Sequence, residues 1–227
     1  MSGLRVALDG PGSSGKSSIG AAAAARLGYR FLDTGIVYRA LTLAAVVRGI
    51  DPTDEEALLA IVPEVRLLPD DSGAIRRVSL ADDDVTERIH VPAVDRAVSA
   101  VSALPRVRAA LLGLQRDIAA DGPIILAGRD IGTVVLPDAD LKLFLQVTVE
   151  ERARRRAAER GLRPDSAEAA TILEDLRRRD HLDSSRAVAP LAVADDAVVL
   201  RSDGRTFEES VAAVVEIIER RAQEDGS

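Results

Sequence analysis

The chain has 227 residues, 47% of them hydrophobic and 30% charged, with a formal net charge of −7. That balance describes a globular protein with one sizeable core or a core plus an insertion, and it argues against a broad binder of nucleic-acid backbones. Aromatic residues make up 2% with no Trp, which argues against a base-stacking groove; cysteine is absent, and His90 and His181 are the two histidines, which excludes disulfides, thiol catalysis and a histidine-rich metal site. In chain order, residues 4–8 predict a short buried strand that stops at Asp9-Gly10-Pro11-Gly12. Residues 16–27 are Ala-rich and predict a helix, with Gly28 as its C-cap. Residues 29–32 predict a second strand closing on Asp33-Thr34-Gly35, and residues 36–48 a second helix stopped by Gly49. A β-loop-α-β-α start of this kind points to a parallel α/β sheet.

The alternation breaks between about residues 51 and 120. Residues 55–62 predict a short helix, and residues 64–68 and 74–80 flank Asp70-Asp71-Ser72-Gly73, a hairpin signal. An antiparallel patch inside a parallel fold reads as an inserted subdomain. Residues 91–119 read as helical with an interruption at Pro105. The α/β rhythm then resumes with strands at 124–126, ending in Gly128-Arg129-Asp130, and at 141–147. A basic helix at 150–160, a break at 161–165, a charged helix at 166–180 and a last strand at 197–200 follow. Thr206-Phe207-Glu208-Glu209 fits a capping box, and Phe207, Val211, Val214, Val215 and Ile218 form a stripe that packs the final helix on the sheet. No apolar run reaches 18 residues, so no membrane span is expected. The N-terminal stretch lacks the length of a signal-peptide apolar region, and a cytoplasmic location is the expectation.

Gly10-Pro11-Gly12-Ser13-Ser14-Gly15-Lys16-Ser17 matches G-x-x-x-x-G-K-[ST] between a strand and a helix, the context in which the pattern has mechanical meaning. Its glycines let the backbone curl around an anion, and the helix N-terminus adds a favourable field. Lys16 is expected to reach the β- and γ-phosphates of a nucleoside triphosphate, and the Ser17 hydroxyl to hold Mg²⁺. Of the 30 basic residues 28 are Arg, so Lys16 is one of two lysines, with Lys142. No Asn-Lys-x-Asp base-reading motif occurs late in the chain, which argues against a GTPase. Small-molecule phosphoryl transfer needs positioning and charge neutralisation more than a covalent group. Basic residues beside the predicted strand ends suit it, because the guanidinium fork grips phosphate bidentately.

Asp33-Thr34-Gly35 with Tyr38-Arg39, Pro105-Arg106-Val107-Arg108, Gly128-Arg129-Asp130-Ile131-Gly132-Thr133-Val134-Val135 and Asp183 to Leu191 with Arg186 resemble the bacterial cytidylate kinase family, in its order and spacing, from about residue 4 to 220. The resemblance implies an α/β P-loop core (residues 1–50, 121–150 and 187–227), a nucleoside-monophosphate-binding insertion with a small antiparallel sheet (51–120), and a lid with adjoining helices (151–186). It implies ATP-dependent phosphorylation of CMP or dCMP, with Mg²⁺, by a monomer without nucleic-acid or membrane partners. By the same resemblance Ser99 and Arg108 read cytosine with the help of Asp130, Ser102 standing one helical turn from Ser99. Arg39, Arg129 and Arg186 hold the acceptor phosphate, and Asp183, oriented by Arg179, takes the ribose hydroxyls. Thr34 and Tyr38 frame the acceptor, residues Gly10 to Ser18 hold the donor, and Arg152, Arg155 and Arg156 close over it. The catalytic set is Lys16, Arg129, Arg155 and Arg156. Thr34 stands where the family usually has Ser, and Ala127 where an acidic residue often precedes Gly-Arg-Asp. Asp82-Asp83-Asp84 reads as a solvated loop rather than a metal site. His181 falls inside the acceptor cluster by position, with at most a steric role.

Overall fold

The computed structural model describes residues 3–70 and 73–224. Strand β1 (Arg5–Asp9) leads through the glycine-rich loop into helix α1 (Lys16–Leu27), then β2 (Arg30–Asp33) and α2 (Gly35–Arg48). Gly28 and Gly49 end those helices in left-handed conformations, φ 67° each, as their sequence positions require. The next stretch holds α3 (Glu55–Ile61), β3 (Val65–Pro69), β4 (Ile75–Leu80), the two-residue strand β5 (Asp83–Asp84), α4 (Pro92–Val101) and α5 (Pro105–Ala120). The chain closes with β6 (Ile124–Gly128), β7 (Leu141–Gln146), α6 (Val149–Glu159), α7 (Ala167–Ser184), β8 (Val198–Arg201) and α8 (Phe207–Glu224).

Among the described residues one sheet carries all eight strands, in the order β3-β4-β2-β6-β1-β7-β8 with β5 on β4. From β2 to β8 every pairing is parallel. The central strands β1 and β6 are covered on both faces and therefore read as continuous apolar runs. One face packs Val6, Leu8, Ile125, Leu143 and Leu145 against Ala23 and Ala24 of α1 and Val211, Val214 and Ile218 of α8. The other packs Ala7, Leu32, Ile124 and Leu126 against Ala119 of α5 and Ile131 and Val135. A separate cluster joins α2 to the insertion through Leu41, Leu58, Val78, Ile89, Val98 and Leu111.

Several expectations shift. The antiparallel patch is not a free-standing sheet. β4 pairs parallel with β2 at Leu32 and Ile75, so the hairpin caps the sheet edge that β2 leaves open. Asp71 and Ser72 of its turn lie outside the described residues. Asp83 and Asp84 form a short strand instead of a loop, and ion pairs with Arg88 and Arg77 (2.6 Å for Arg77) occupy their carboxylates. Helix α7 continues four residues past its expected end, from the Ser166 cap to Ser184, which puts Asp183 inside a helix. Phe207 is 48% exposed and leaves the α8 stripe, where Ala222 takes a place instead, although the Thr206–Glu209 capping box forms as expected. No single helix among the described residues is long and apolar enough to cross a membrane. The bent pair α4–α5 (97°) turns Val94, Val98, Val101, Val107 and Leu111 into the insertion core and Ala119 against the sheet.

Candidate active site

The parallel register brings Asp9 of β1 beside Gly128 of β6, and Asp33 of β2 beside Ala127. The carboxyl ends of three central strands thus open on one edge, where α/β sheets place their ligands. Gly128 has no alternative there, because a Cβ would lie 2.6 Å from Ile131 and 2.8 Å from the Thr34 hydroxyl.

The glycine-rich loop turns through left-handed Ser13 (φ 59°) and Gly15 (φ 87°) into α1, whose first turn has no side-chain cap. The carbonyls of Gly10, Pro11 and Gly12 accept from Arg129 (3.2 Å), Lys16 (3.1 Å) and Arg152 (2.9 Å). These contacts satisfy the outer side of the turn and leave the helix N-terminus for an anion. Lys16 is 6% exposed. Burial drives its pKa well below the ordinary lysine range, the Arg129 and Arg179 cations add to that, and the Asp33 carboxylate opposes it. The Ser14 Oγ and the Nε atoms of Arg179 and Arg186 are buried with no hydrogen-bond partner among the described residues, which leaves them free to donate to an anion. Ser17 and Asp33 line the same cleft and offer the hard oxygen donors that Mg²⁺ prefers.

On the acceptor side Arg108 of α5 forms a buried ion pair with Asp130, donates to the Ser102 carbonyl (3.2 Å) and lies 5.7 Å from the centre of the Tyr38 ring. Burial raises the pKa of Asp130, against the pull of Arg108 and Arg186. Arg39 of α2 donates to the Ile89 carbonyl at 3.0 Å and pairs with Asp95 of α4 at 2.7 Å. Thr34 Oγ1 donates to the Ala127 carbonyl at 3.0 Å, so this hydroxyl braces β2 on β6.

Asp183 departs from its expected arrangement. Its side chain is 1% exposed and is held by Arg129 Nε (2.9 Å) and by Arg186, while Arg179, the expected partner, stands at 3.9 Å. Helical spacing explains the geometry, since Arg179, Asp183 and Arg186 fall on one face of α7 and its C-terminal turn. Burial alone would raise the Asp183 pKa, but Arg129, Arg186 and Arg179 outweigh it and hold the group below the ordinary carboxylate value. Ser99 donates to Asp183 (3.3 Å) rather than facing the cleft; Ser102 lines the cleft and accepts from Arg186 (2.9 Å). His181, two residues from Asp183, is exposed and lines no part of the cleft, because α7 carries it to another face.

The three lid arginines separate. Arg152 is buried, with donors on the Val147 and Gly12 carbonyls and on Asp180 of α7, so it is a strut between α6, α7 and the loop. Arg155 pairs with Glu151 (2.7 Å) and reaches the Ser202 carbonyl, and Arg156 pairs with Glu159 (3.3 Å). All three line the cleft, and Arg155 and Arg156 are less buried than Arg152.

These parts enclose one cleft of about 380 Å³, lined by nine cationic side chains and four carboxylates. A local excess of positive charge in a chain of net −7 marks a site for anions. Ser102, expected only as a neighbour of Ser99, takes the place in the cleft, and Asp33, Asp95 and Asp180 join the site without having been assigned a role from the sequence. Asp33 directly precedes the Thr34-Gly35 turn and was legible; Asp95 and Asp180 become visible only when their arginine partners are in place.

A parallel sheet with a glycine-rich anion loop and a second, arginine-lined pocket in the same cleft defines a P-loop kinase of small molecules. The family model described as cytidylate kinase matches residues 6–220. The cytidylate kinase of Mycobacterium leprae (strain Br4923) is 44% identical over 223 residues, 98% of each chain. That of Streptococcus suis (strain 05ZYH33) is 43% identical over 226 residues, 99% of this chain and 98% of its own. The chain belongs to the cytidylate kinase family. Among solved structures, an uncharacterized protein from Eubacterium ventriosum ATCC 27560 shares the fold, with a TM-score of 0.52 and 9% identity over 95% of this chain and 97% of that one.

Proposed function

We propose that the protein transfers the γ-phosphoryl group of ATP to CMP and dCMP, giving ADP with CDP or dCDP. The observation that carries this reading is a single cleft holding both the phosphate loop and a separate guanidinium cluster beside the buried Arg108–Asp130 pair. The acceptor phosphate oxygen is already ionised near neutral pH, so no general base is needed; the problem is bringing two anions together. Lys16 and the first turn of α1 take the donor phosphates, and Ser17 with the rest of residues 10–18 frames them. The Ser17 hydroxyl would hold Mg²⁺, which would supply charge screening for the phosphates. Arg39, Arg129 and Arg186 take the acceptor phosphate, which frees Asp183 for the ribose hydroxyls. Arg108 and Asp130 offer a donor and an acceptor to the keto and amino groups that distinguish cytosine. Tyr38 and Thr34 border the acceptor, and Ser102, rather than Ser99, faces it. Arg155 and Arg156 close over the transferring group and exclude water, while Arg152 holds the loop against α7.

The substrates of this reading are small molecules only, and the protein acts as a cytoplasmic monomer; sedimentation at 24.1 kDa checks its oligomeric part. The functional test is ADP release from ATP with CMP, dCMP, UMP and AMP as acceptors. Release that depends on CMP or dCMP is expected. Equal rates with AMP would assign another acceptor, and ATP binding without release would make the protein a nucleotide-binding module.

A further inference from the structure

Asp9 is the last residue of β1, next to Gly10 of the phosphate loop, and only 4% of it is exposed. Its two carboxylate oxygens each accept a backbone N–H from the turn after β6: Ile131 to Oδ1 and Gly132 to Oδ2, both at 2.8 Å. That turn is a π-helix, Ile131–Val135, and these N–H groups belong to its open N-terminal end. An aspartate 122 residues away in sequence therefore caps it. Gly132 is pressed from another side by the Lys142 stem, against which any Cβ would stand at 3.1 Å. The two residues immediately before the capped turn are Arg129 and Asp130. Arg129 reaches Gly10 and Asp183, and Asp130 reaches Arg108.

We propose that Asp9 is a positioning residue that couples the donor loop to the acceptor pocket by clamping the Arg129–Asp130 segment to the strand that carries the phosphate loop. The proposal rests on the kinase reading above. An ionised carboxylate accepts both N–H groups equally, whereas a protonated one turns one of its oxygens into a donor with no acceptor assigned to it. The charged groups facing Asp9 are Lys16 of α1 and Asp130 of the clamped segment. Burial, eased by the Gly132 and Ile131 N–H groups, pushes the Asp9 pKa up to about 6, so the clamp loosens on mild acidification.

The test compares wild type with Asp9→Asn, whose amide accepts from one N–H only. At pH 7.5 the variant should show a KM for CMP raised about tenfold, with ATP affinity in the absence of CMP changed less than about threefold. The wild-type advantage in kcat/KM for CMP should shrink from about pH 7.5 to about pH 5.5 as Asp9 takes up a proton. CMP titrates in the same range, but equally for both proteins, so the ratio isolates Asp9. Parallel loss of CMP and ATP affinity, or a ratio constant with pH, would overturn the proposal. Should Asp9→Asn not fold, the wild-type amide resonances of Ile131 and Gly132 decide it: a shared titration near pH 6 is expected, and flat shifts from about pH 5 to 7.5 would overturn it. A wild type inactive on CMP sinks the kinase reading instead, and the amide titration then still stands or falls alone.

Discussion

The donor side of the cleft draws its contacts from residues 10–18, while the acceptor side assembles Thr34, Tyr38, Arg39, Arg108, Asp130, Asp183 and Arg186 from α2, α5, α7 and the loops beside β2 and β6. Backbone groups do most of the work on the donor side. Its carbonyls are tied down, α1 opens uncapped, and Lys16 is a buried cation with Arg129, Arg179 and Asp33 near it. On the acceptor side charged side chains compensate one another: Arg108 with Asp130, Arg129 and Arg186 with Asp183, Arg39 with Asp95. The lesson is electrostatic. A loop of amides holds its shape with no ligand, whereas a cluster of guanidiniums needs internal carboxylates to hold it, and a bound phosphate has to replace them.

Lys16→Ala strikes the donor side at its one ammonium, and turnover measured by ADP release should fall about a thousandfold or more. Near-wild-type turnover would break the contrast at once. Arg108→Met strips the acceptor side of one guanidinium and leaves Asp130 buried without its main partner. The KM for CMP should rise about a hundredfold while that for ATP moves less than about threefold, and equal rises would mean the two sides are not separable. Arg152 and Arg156 sharpen the boundary between them. Arg152→Ala, losing the strut to Gly12 and Asp180, should cost about 2 kcal/mol in denaturant unfolding. Arg156→Ala should leave stability unchanged and lower turnover about tenfold.

Asp183 gives the pH dependence. Its folded pKa is depressed by Arg129, Arg186 and Arg179, so its contribution is present above the unfolded aspartate value and is lost as pH falls through the folded one. The stability gap between wild type and Asp183→Asn should therefore persist at neutral pH and close below about pH 4. Thr206→Ala, in the capping box far from either side, sets the floor: about 1 kcal/mol of stability, with turnover unchanged.

Strand and helix order, the stop signals at Gly28 and Gly49, and the phosphate loop were all legible in the sequence. Each depends on backbone preference or apolar period over a few neighbours, which linear order preserves. The acceptor residues could be gathered from the sequence by resemblance, because Gly128-Arg129-Asp130 and Asp183 with Arg186 stand in the family's order, but their partners could not. Whether Asp183 faces Arg179 or Arg129, whether Ser99 or Ser102 meets the cleft, and whether Arg152 is a finger or a strut depend on helix phase and on which strands are neighbours. The scarcity of lysine told which cation belongs to the loop. The partner that Asp9 finds in Ile131 and Gly132 was decided only when β1 and β6 paired side by side, because a hydrogen bond across 122 residues has no signature along the chain.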